Sequence, residues 1–234
     1  MTFSRWRAAG NEYLLAERAE LGGPLTPDRV RAEVGGSDGL LEVVSAGDAE
    51  AEVLIWNPDG SLAEMSGNGT RIAARWLADR IGADAVTIRV GERAVPATVL
   101  SAQEIEQELG PYEVYPQERV AGLAVTAVSV GNPHAVVVGD PDDLPLIGPL
   151  LETHPRFPER TNVQVARVDA PGAVTARVWE RGVGETRSSG TSAVAVAAAT
   201  HGDGVVVVTF PGGPLTVCLE AGSARLRGPV ERID

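Results

Sequence analysis

Residues 184–201 read "GETRSSGTSAVAVAAATH", a turn of glycines and hydroxyl residues that leads into a run of small apolar residues. The run predicts a helix over 191–201, with Ser189 placed to cap its N-terminus. The first turn of a helix exposes unpaired N–H groups and the positive end of the helix dipole, which favour a carboxylate or a phosphate. The stretch therefore predicts either a plain N-cap or an anion-binding helix N-terminus.

A second stretch of the same kind, "MSGNGTRIAARWLADRI" (65–81), predicts a helix over 69–81 that follows Ser66. Three landmarks recur in the same order at offsets of 121 to 123 positions: Gly10–Asn11 with Gly131–Asn132, "NPDG" (57–60) with "ERGVG" (180–184), and Ser66–Gly67 with Ser189–Gly190. Recurrence at one offset indicates an internal repeat. We therefore expect two similar halves, 1–117 and 118–234, whose equivalent loops face a shared cleft.

The pattern of apolar residues predicts the fold class. Alternating apolar stretches predict strands over 51–56, 85–90, 123–130, 162–168 and 205–210. Helices are predicted over 26–34, 69–81, 101–109, 142–154 and 191–201. Because the strands outnumber the helices and do not alternate strictly with them, we expect a mixed α+β fold.

The composition excludes several classes of function. A formal net charge of −12 argues against a nucleic-acid surface. All 20 basic residues are arginines, so chemistry that needs a lysine Schiff base is excluded. Cys218 is the only cysteine, which excludes an intrachain disulfide and a thiolate zinc cluster. It lies in a predicted strand, where we expect a buried residue without a catalytic role.

Other patterns are absent from the sequence. No run of about 18 apolar residues predicts a membrane span, and the N-terminal residues show no secretory signal pattern, so we expect a cytoplasmic protein. The motifs H-x-E, C-x-x-C and H-E-x-x-H do not occur, so we expect no metal site.

Polar residues cluster in the predicted turns: Asn11, Asn57, Asn68, Asn132, Asn162, His134, Glu180, Arg181 and Glu185. Asparagine beside glycine or proline is typical of turn geometry. The group also suits a zwitterionic ligand, because amides bond both ammonium and carboxylate and an arginine can bind a carboxylate bidentately. His134 is interpreted either as a hydrogen-bonded strand residue or as a proton-transfer group.

These residues together resemble the diaminopimelate epimerase family. The resemblance lies in five segments that follow one another along almost the whole chain: "AAGNEYLL" (8–15), "NPDGSLAEMSGNGTRIAARW" (57–76), "VSVGNPHAVVV" (128–138), "RTNVQV" (160–165) and "WERGVGETRSSGTSA" (179–193). It implies two pseudo-symmetric lobes, each a barrel-like mixed sheet around a central helix. It also implies an isomerase that needs no cofactor, binds a small amino-acid-like carboxylate, and forms a homodimer in many members.

The resemblance assigns roles position by position. Gly67, Asn68, Gly190 and Thr191 match the α-carboxylate cradle of the family. The positions that match the groups selecting the distal end of the substrate are Asn11, Asn57, Asn132, Asn162 and Arg181. His134 and Glu180 match polar residues that assist near the reacting carbon. One proton carrier in each lobe is implied, at Ser66 and at Ser189.

The proton carriers depart from the family pattern. The motifs E-M-C-G-N-G and A-C-G-T-G place cysteines where this chain has Ser66 and Ser189. A thiol has a pKa of about 8.5, whereas an aliphatic hydroxyl is close to water at about 15.7. Two origins stay open: a substrate-trapping variant with both cysteines exchanged, or natural divergence. Ser192 in place of the usual glycine and the altered stretch 32–41 favour divergence.

Three hypotheses for the function follow. The first is a cofactor-independent epimerase or racemase that acts on an amino-acid-like carboxylate. The second is a diverged enzyme of a specialised biosynthetic pathway that catalyses cyclisation, dehydration or double-bond isomerisation, with His134 or Glu180 as acid or base. The third is a binding protein that retains the amino-acid pocket without catalysis.

Overall fold

A computed structural model describes residues 3–234 of the chain. The chain divides into two compact units. The first unit extends to Glu108 and also contains the C-terminal residues Arg227–Asp234, and the second is Leu109–Leu226. Within the described residues, no helix is both long enough and apolar enough to cross a membrane.

The described residues form strands and helices in the following order. The strands are β1 Ser4–Ala8, β2 Asn11–Glu17, β3 Gly39–Ala46, β4 Glu50–Trp56, β5 Ala85–Val90, β6 Arg93–Ser101, β7 Glu104–Pro111, β8 Glu113–Val114, β9 Glu118–Val120, β10 Leu123–Ser129, β11 Pro133–Val138, β12 Asn162–Ala170, β13 Ala173–Glu180, β14 Gly184–Thr186, β15 Gly204–Phe210, β16 Gly213–Glu220, β17 Ser223–Pro229 and β18 Glu231–Arg232. The helices are α1 Arg18–Leu21, α2 Pro27–Glu33, α3 Gly67–Ile81, α4 Leu144–Glu152, preceded by a 3-10 turn at Pro141–Asp143, and α5 Gly190–Thr200.

The two units repeat one order of strand pairing. In the first unit β1–β2 is antiparallel, β2–β3 parallel, β3–β4 antiparallel, β4–β5 parallel and β5–β6 antiparallel. In the second unit β10–β11, β11–β12, β12–β13, β13–β15 and β15–β16 follow the same alternation. Register shifts fall at Val43/Ser45 in one unit and at Val168/Ala170 in the other. The repeat in the sequence thus corresponds to a repeat in topology.

Each unit surrounds one helix with its sheet. Helix α3 contacts the six strands β1–β6, and α5 contacts β10–β13, β15 and β16. Nearly the whole of α5 is buried, from Gly190 to Ala198, and its residues are almost all glycine, alanine, valine and small hydroxyl residues. Small side chains on every face allow strands to pack closely around a helix. The predicted α+β fold with a central helix is confirmed.

Most predicted elements are confirmed. The helices predicted over 26–34, 69–81, 142–154 and 191–201 are α2, α3, α4 and α5. The five predicted strands are β4, β5, β10, β12 and β15. Thr26 caps α2, because its side chain accepts a hydrogen bond from the backbone N–H of Arg29.

The helix predicted over 101–109 is wrong, because this segment forms the end of β6, a turn and most of β7. Ile105, Gln107 and Leu109 alternate with more exposed glutamates. That alternation has the period of a strand. Burial of these alternate residues outweighs the helix propensity of the glutamates, which is a weak local preference.

Candidate functional site

Ser66 begins helix α3. Its extended backbone (φ −138°, ψ 116°) and the hydrogen bond from Gly69 N–H to its Oγ, 3.0 Å, form an N-cap. Gly67 and Asn68, the next two residues, are buried. A Cβ on Gly69 would lie 3.0 Å from Leu41 Cδ2 and 3.3 Å from Ser66 Cβ. The absence of a side chain at Gly69 therefore lets the start of α3 pack tightly against the sheet.

Tyr13 contacts the Ser66 hydroxyl from strand β2. Its phenol oxygen lies 3.1 Å from Ser66 Oγ. Gly39 pairs with Tyr13 on the neighbouring parallel strand β3, and a Cβ there would lie 2.5 Å from Tyr13 Cε1. Gly39 therefore makes room for the aromatic ring, whose position fixes the phenol beside Ser66.

Arg71 lies one turn into α3 and is completely buried. Its guanidinium donates to Asn68 Oδ1, while its Nε has no hydrogen-bond partner among the described residues. The Gln107 amide, oriented to satisfy both of its ends, donates to Gly67 O at 3.0 Å and accepts from the Arg71 backbone N–H at 3.1 Å. Burial lowers the pKa of Arg71 to about 10, and an ionised Tyr13 acts in the opposite direction.

Asn57 and Asn11 are the two other predicted residues of the first unit. Asn57 forms its own turn, in which its side-chain amide donates to Ser61 Oγ at 2.9 Å and its backbone N–H donates to Ser61 O at 2.8 Å. Asn11 is buried at the start of β2 and pairs with Ala8 of β1. The contacts of Asn57 fit the turn role that the sequence also allows.

Ser189 begins helix α5 with an extended backbone (φ −145°, ψ 131°) that matches Ser66, but its side chain makes no capping hydrogen bond. Within residues 3–234 its hydroxyl has no hydrogen-bond partner. Gly190 and Thr191, which follow, are buried. The two serines are thus equivalent in backbone conformation and different in surroundings.

A chain of hydrogen bonds connects His134 to the start of α5. His134 Nε2 lies 2.9 Å from Asn132 Oδ1, and Gln164 Nε2 lies 3.0 Å from His134 Nδ1. Gln164 Nε2 also donates to Ser192 Oγ at 2.9 Å. An amide oxygen accepts and an amide nitrogen donates, so this arrangement assigns the imidazole proton to Nε2. The pKa of His134 is lowered to about 3, chiefly because the ring is buried and in smaller part because of the nearby Arg181 charge.

Asn162 and Arg181 lie beside this chain of bonds. Asn162 donates to Pro133 O at 3.0 Å and accepts from the Arg181 backbone N–H at 2.9 Å. Glu180, half-buried at the end of β13, accepts from Thr186 Oγ1 at 2.6 Å. The structure thus brings Asn132, His134, Asn162 and Arg181 together in the second unit.

Glu152 holds the turn that carries Arg181. One of its carboxylate oxygens accepts from the backbone N–H of Gly182 and from Arg160, each at 2.6 Å. The other accepts from Trp179 Nε1 at 2.8 Å. Three donors on one buried carboxylate fix the turn at residues 180–184.

Cys218 is half-buried in β16, whereas its place in an apolar strand predicts full burial. Its sulfur accepts a hydrogen bond from Arg225 at 3.4 Å. Among the described residues, no group of three or more His, Cys, Asp and Glu side chains could hold a metal ion.

The structure adds residues that the sequence analysis did not name: Tyr13, Arg71, Gln107, Gln164 and Glu152. The only signal in the sequence is a polar residue inside an apolar element, such as Gln164 in "NVQV". The chemistry of the first unit is a hydroxyl pair next to a buried cation. The second unit offers a neutral imidazole, an amide network and the Ser189 hydroxyl, which has no hydrogen-bond partner in the described part of the chain.

Comparison with known proteins identifies relatives over the whole chain. A sequence model of the family described as diaminopimelate epimerase matches residues 126–232. The diaminopimelate epimerase of Synechococcus elongatus is 34% identical, over 100% of this chain and 96% of its own.

Solved structures share the fold at low sequence identity. A predicted epimerase from Pseudomonas aeruginosa superposes with a TM-score of 0.74 at 15% identity, over 99% of this chain and 96% of that one. A phenazine biosynthesis protein of the PhzF family from Bacillus anthracis gives 0.73 at 13% identity, with the same coverage. At these identities the likeness concerns the fold alone. The identity and coverage of the sequence relatives show that this chain belongs to the diaminopimelate epimerase family.

Proposed function

We propose that this chain is a cofactor-independent isomerase that binds a small amino-acid-like carboxylate and moves the proton on its α-carbon. The observation that carries the proposal is the pair of equivalent helix N-termini, Ser66–Gly67 on α3 and Ser189–Gly190 on α5, in a member of this family. The N–H groups and the dipole at a helix N-terminus favour a carboxylate. Diaminopimelate, on which the relatives are named to act, is the first substrate to test.

The proposed roles follow the sequence prediction. Gly67, Asn68, Gly190 and Thr191 hold the α-carboxylate. The residues proposed to contact the rest of the substrate are Asn11, Asn57, Asn132, Asn162 and Arg181. Ser66 and Ser189 contact the α-carbon, and Glu180 and His134 assist. The low pKa of His134 and its two engaged nitrogens support a neutral hydrogen-bonding role for this residue instead of that of a charged acid.

The serines should make the reaction slow. Ionising an aliphatic hydroxyl instead of a thiol costs roughly seven pKa units, or about 10 kcal/mol. A helix dipole offsets at most about 2 kcal/mol of this. The helix N-termini therefore support binding more strongly than they support proton transfer by isolated hydroxyls.

The test is α-proton exchange in deuterated water, followed by NMR with diaminopimelate and a panel of amino acids. The unaltered protein is compared with the Ser66→Cys/Ser189→Cys double variant, and calorimetry measures binding by both. We expect binding by both proteins and much faster exchange by the double variant. The absence of both binding and exchange in the two proteins would overturn the proposal, whereas tight binding without exchange in either would favour a binding protein.

Two observations favour a second function: both proton-carrier positions hold hydroxyls, and Glu180, next to Arg181 in the chain, provides a half-buried carboxylate. A carboxylate can serve as acid or base in cyclisation, dehydration or double-bond isomerisation without a thiolate. For such a reaction, Glu180→Gln should abolish turnover while Ser66→Ala and Ser189→Ala retain it. The opposite pattern would favour proton transfer at the serines.

A further inference from the structure

Ser66 and Ser189 occupy equivalent places in the repeat, but among the described residues only the Ser66 hydroxyl has an ionisable hydrogen-bond partner. The phenol of Tyr13 lies 3.1 Å from Ser66 Oγ. The Ser189 hydroxyl has no hydrogen-bond partner within residues 3–234. An isolated hydroxyl is a very weak base, so this difference bears directly on which serine can take part in proton transfer.

The hydrogen bonds around Ser66 suit a relay. Its Oγ accepts from the Gly69 backbone N–H at 3.0 Å. A hydroxyl has one hydrogen to donate and two lone pairs, so the hydrogen of Ser66 can point to the Tyr13 oxygen while Gly69 occupies a lone pair. The Tyr13 ring packs directly on Gly39 and fills the space that a side chain there would occupy, since a Cβ on Gly39 would lie 2.5 Å from Tyr13 Cε1. The ring therefore has no room to shift toward β3. The phenol is therefore held in position for transfer.

Arg71 is the charged group that interacts electrostatically with Tyr13. Arg71 is fully buried and, within the described residues, its guanidinium pairs with no carboxylate and donates to the neutral amide of Asn68. A buried cation without a counter-charge is unfavourable. A negative charge on the Tyr13 phenol would raise the pKa of Arg71, against the effect of burial. By reciprocity, the guanidinium stabilises the phenolate.

We propose that Ser66 and Tyr13 form a proton relay in which Ser66 contacts the substrate carbon and Tyr13, held beside Arg71, stores the proton. In the forward step the Cα–H bond breaks and its hydrogen moves to Ser66 Oγ. The hydroxyl hydrogen of Ser66 moves at the same time to the Tyr13 phenolate, and the electron pair remains on the substrate carbon. The negative charge thus passes from the Tyr13 phenolate to the substrate carbanion. In the reverse step the carbon regains a hydrogen from Ser66, and Tyr13 returns its proton to Ser66.

The relay reduces the cost that serine imposes. A phenol has a pKa of about 10 in water, against about 15.7 for an aliphatic hydroxyl. Storing the proton on Tyr13 therefore removes more than half of the gap between serine and a thiol. Of the two members of the relay, Ser66 is the catalytic residue, because it contacts the substrate carbon, and Tyr13 is a positioning residue that acts through Ser66.

The relay rests on the proposed function and adds a stereochemical expectation. Because Ser189 lacks a comparable partner among the described residues, only one configuration at the α-carbon should exchange its hydrogen, and without inversion. With L,L- and D,D-diaminopimelate as separate probes in deuterated water, one should exchange and the other should not. Equal exchange of the L,L and D,D isomers would show that proton transfer does not depend on the Ser66–Tyr13 pair, and would overturn the relay.

The direct test is Tyr13→Phe, which removes the hydroxyl and keeps the ring that packs on Gly39. We expect α-proton exchange to fall by about 100-fold or more, as is typical when an acid–base group is lost, while the unfolding midpoint changes little. Tyr115→Phe is the matched control, since Tyr115 is exposed and donates to Glu113 at 2.8 Å. Unchanged exchange by Tyr13→Phe would overturn the relay.

A double-mutant cycle separates the relay from a structural role of Tyr13. A thiol at position 66 ionises on its own, so Tyr13→Phe should cost much less in the Ser66→Cys background than in the parent. An equal loss in both backgrounds would mean that the phenol only supports packing, and would overturn the relay. The Tyr115→Phe control should leave both backgrounds unchanged.

Failure of the relay and failure of the proposed function give different results. If the parent does not exchange but the Ser66→Cys/Ser189→Cys variant does, the relay is overturned and the isomerase function stands. If neither protein binds or exchanges diaminopimelate or the amino-acid panel, the proposed function is overturned together with the relay.

Discussion

The side-chain amide of Gln164 donates to Nδ1 of His134 at 3.0 Å, so the imidazole is held neutral by its hydrogen bonds as well as by its burial. A second proton on the ring would face the amide N–H of Gln164 and would break this bond. The neutral ring, in turn, connects Asn132 to Gln164 and through it to Ser192 at the start of α5. His134 therefore contributes a pH dependence to stability.

The first prediction concerns that pH dependence. The folded pKa of His134 is about 3 and the unfolded value is about 6.5, so the unfolded chain binds this proton first as the pH falls. The contribution of His134 to stability is present above about pH 6.5 and is lost progressively toward pH 3. One proton corresponds to about 1.4 kcal/mol of unfolding free energy per pH unit.

Urea denaturation between pH 4 and pH 7 measures this effect. His134→Gln should lower the unfolding free energy at pH 7. It should also reduce the slope of that free energy against pH by an amount that corresponds to at most one bound proton. His154→Gln, which leaves the His134 network intact, should retain the slope of the parent. An unaltered slope in His134→Gln would contradict the assignment of a buried neutral imidazole.

The second prediction compares the two helix-capping serines. Ser66 Oγ accepts from Gly69 N–H, whereas Ser189 makes no capping bond. Ser66→Ala should therefore cost about 1 kcal/mol of unfolding free energy, and Ser189→Ala should cost less than about 0.5 kcal/mol. Chemical denaturation of the two variants measures the difference, and each is the control for the other. Equal costs would mean that Ser66 is no better a cap than Ser189.

The third prediction tests the packing of α4 on β13. A Cβ on Gly148 would lie 2.8 Å from Trp179 Cγ, so Gly148→Ala must displace the indole. We expect a loss of about 1–3 kcal/mol, the usual cost of overpacking, in thermal or urea unfolding. Gly202→Ala is the control, because a Cβ there meets nothing within 4 Å. Similar stability of the two variants would show that Trp179 can move freely.

The fourth prediction concerns the turn that carries Arg181. Glu152→Gln replaces one acceptor oxygen by a donor and removes the charge that holds Gly182 N–H, Arg160 and Trp179. We expect a loss of about 1–3 kcal/mol and weaker binding of diaminopimelate in a calorimetric titration.

Its control is Glu118→Gln, which alters a surface ion pair with Arg156 at 2.8 Å. Surface pairs contribute little, so stability should change by less than about 1 kcal/mol and binding should stay the same. Unchanged binding in Glu152→Gln would mean that the turn does not depend on this carboxylate.

Local sequence patterns predict most of the helices and strands correctly, because the apolar periodicity and the capping residues indicate the same boundaries. Thr26 and Pro27 predict the start of α2, and Ser66 and Ser189 predict the starts of α3 and α5, as found. For the segment 101–109 the local pattern predicts a helix, because its glutamates favour one, and this prediction is wrong. The alternation of Ile105, Gln107 and Leu109 becomes decisive only because the segment pairs with β6 as a strand and buries these three residues.

The sequence by itself determined the repeat, the α+β class and the two equivalent helix N-termini, since these depend on periodicity and on residues adjacent in the chain. Tertiary structure alone decided the surroundings of each serine. Tyr13 meets Ser66 across 53 positions, and Gln164 meets His134 across 30. Hydrogen bonds over such separations depend on the register of parallel strands and on positions such as Gly39, where the missing side chain leaves room for a ring. No local sequence pattern encodes these contacts.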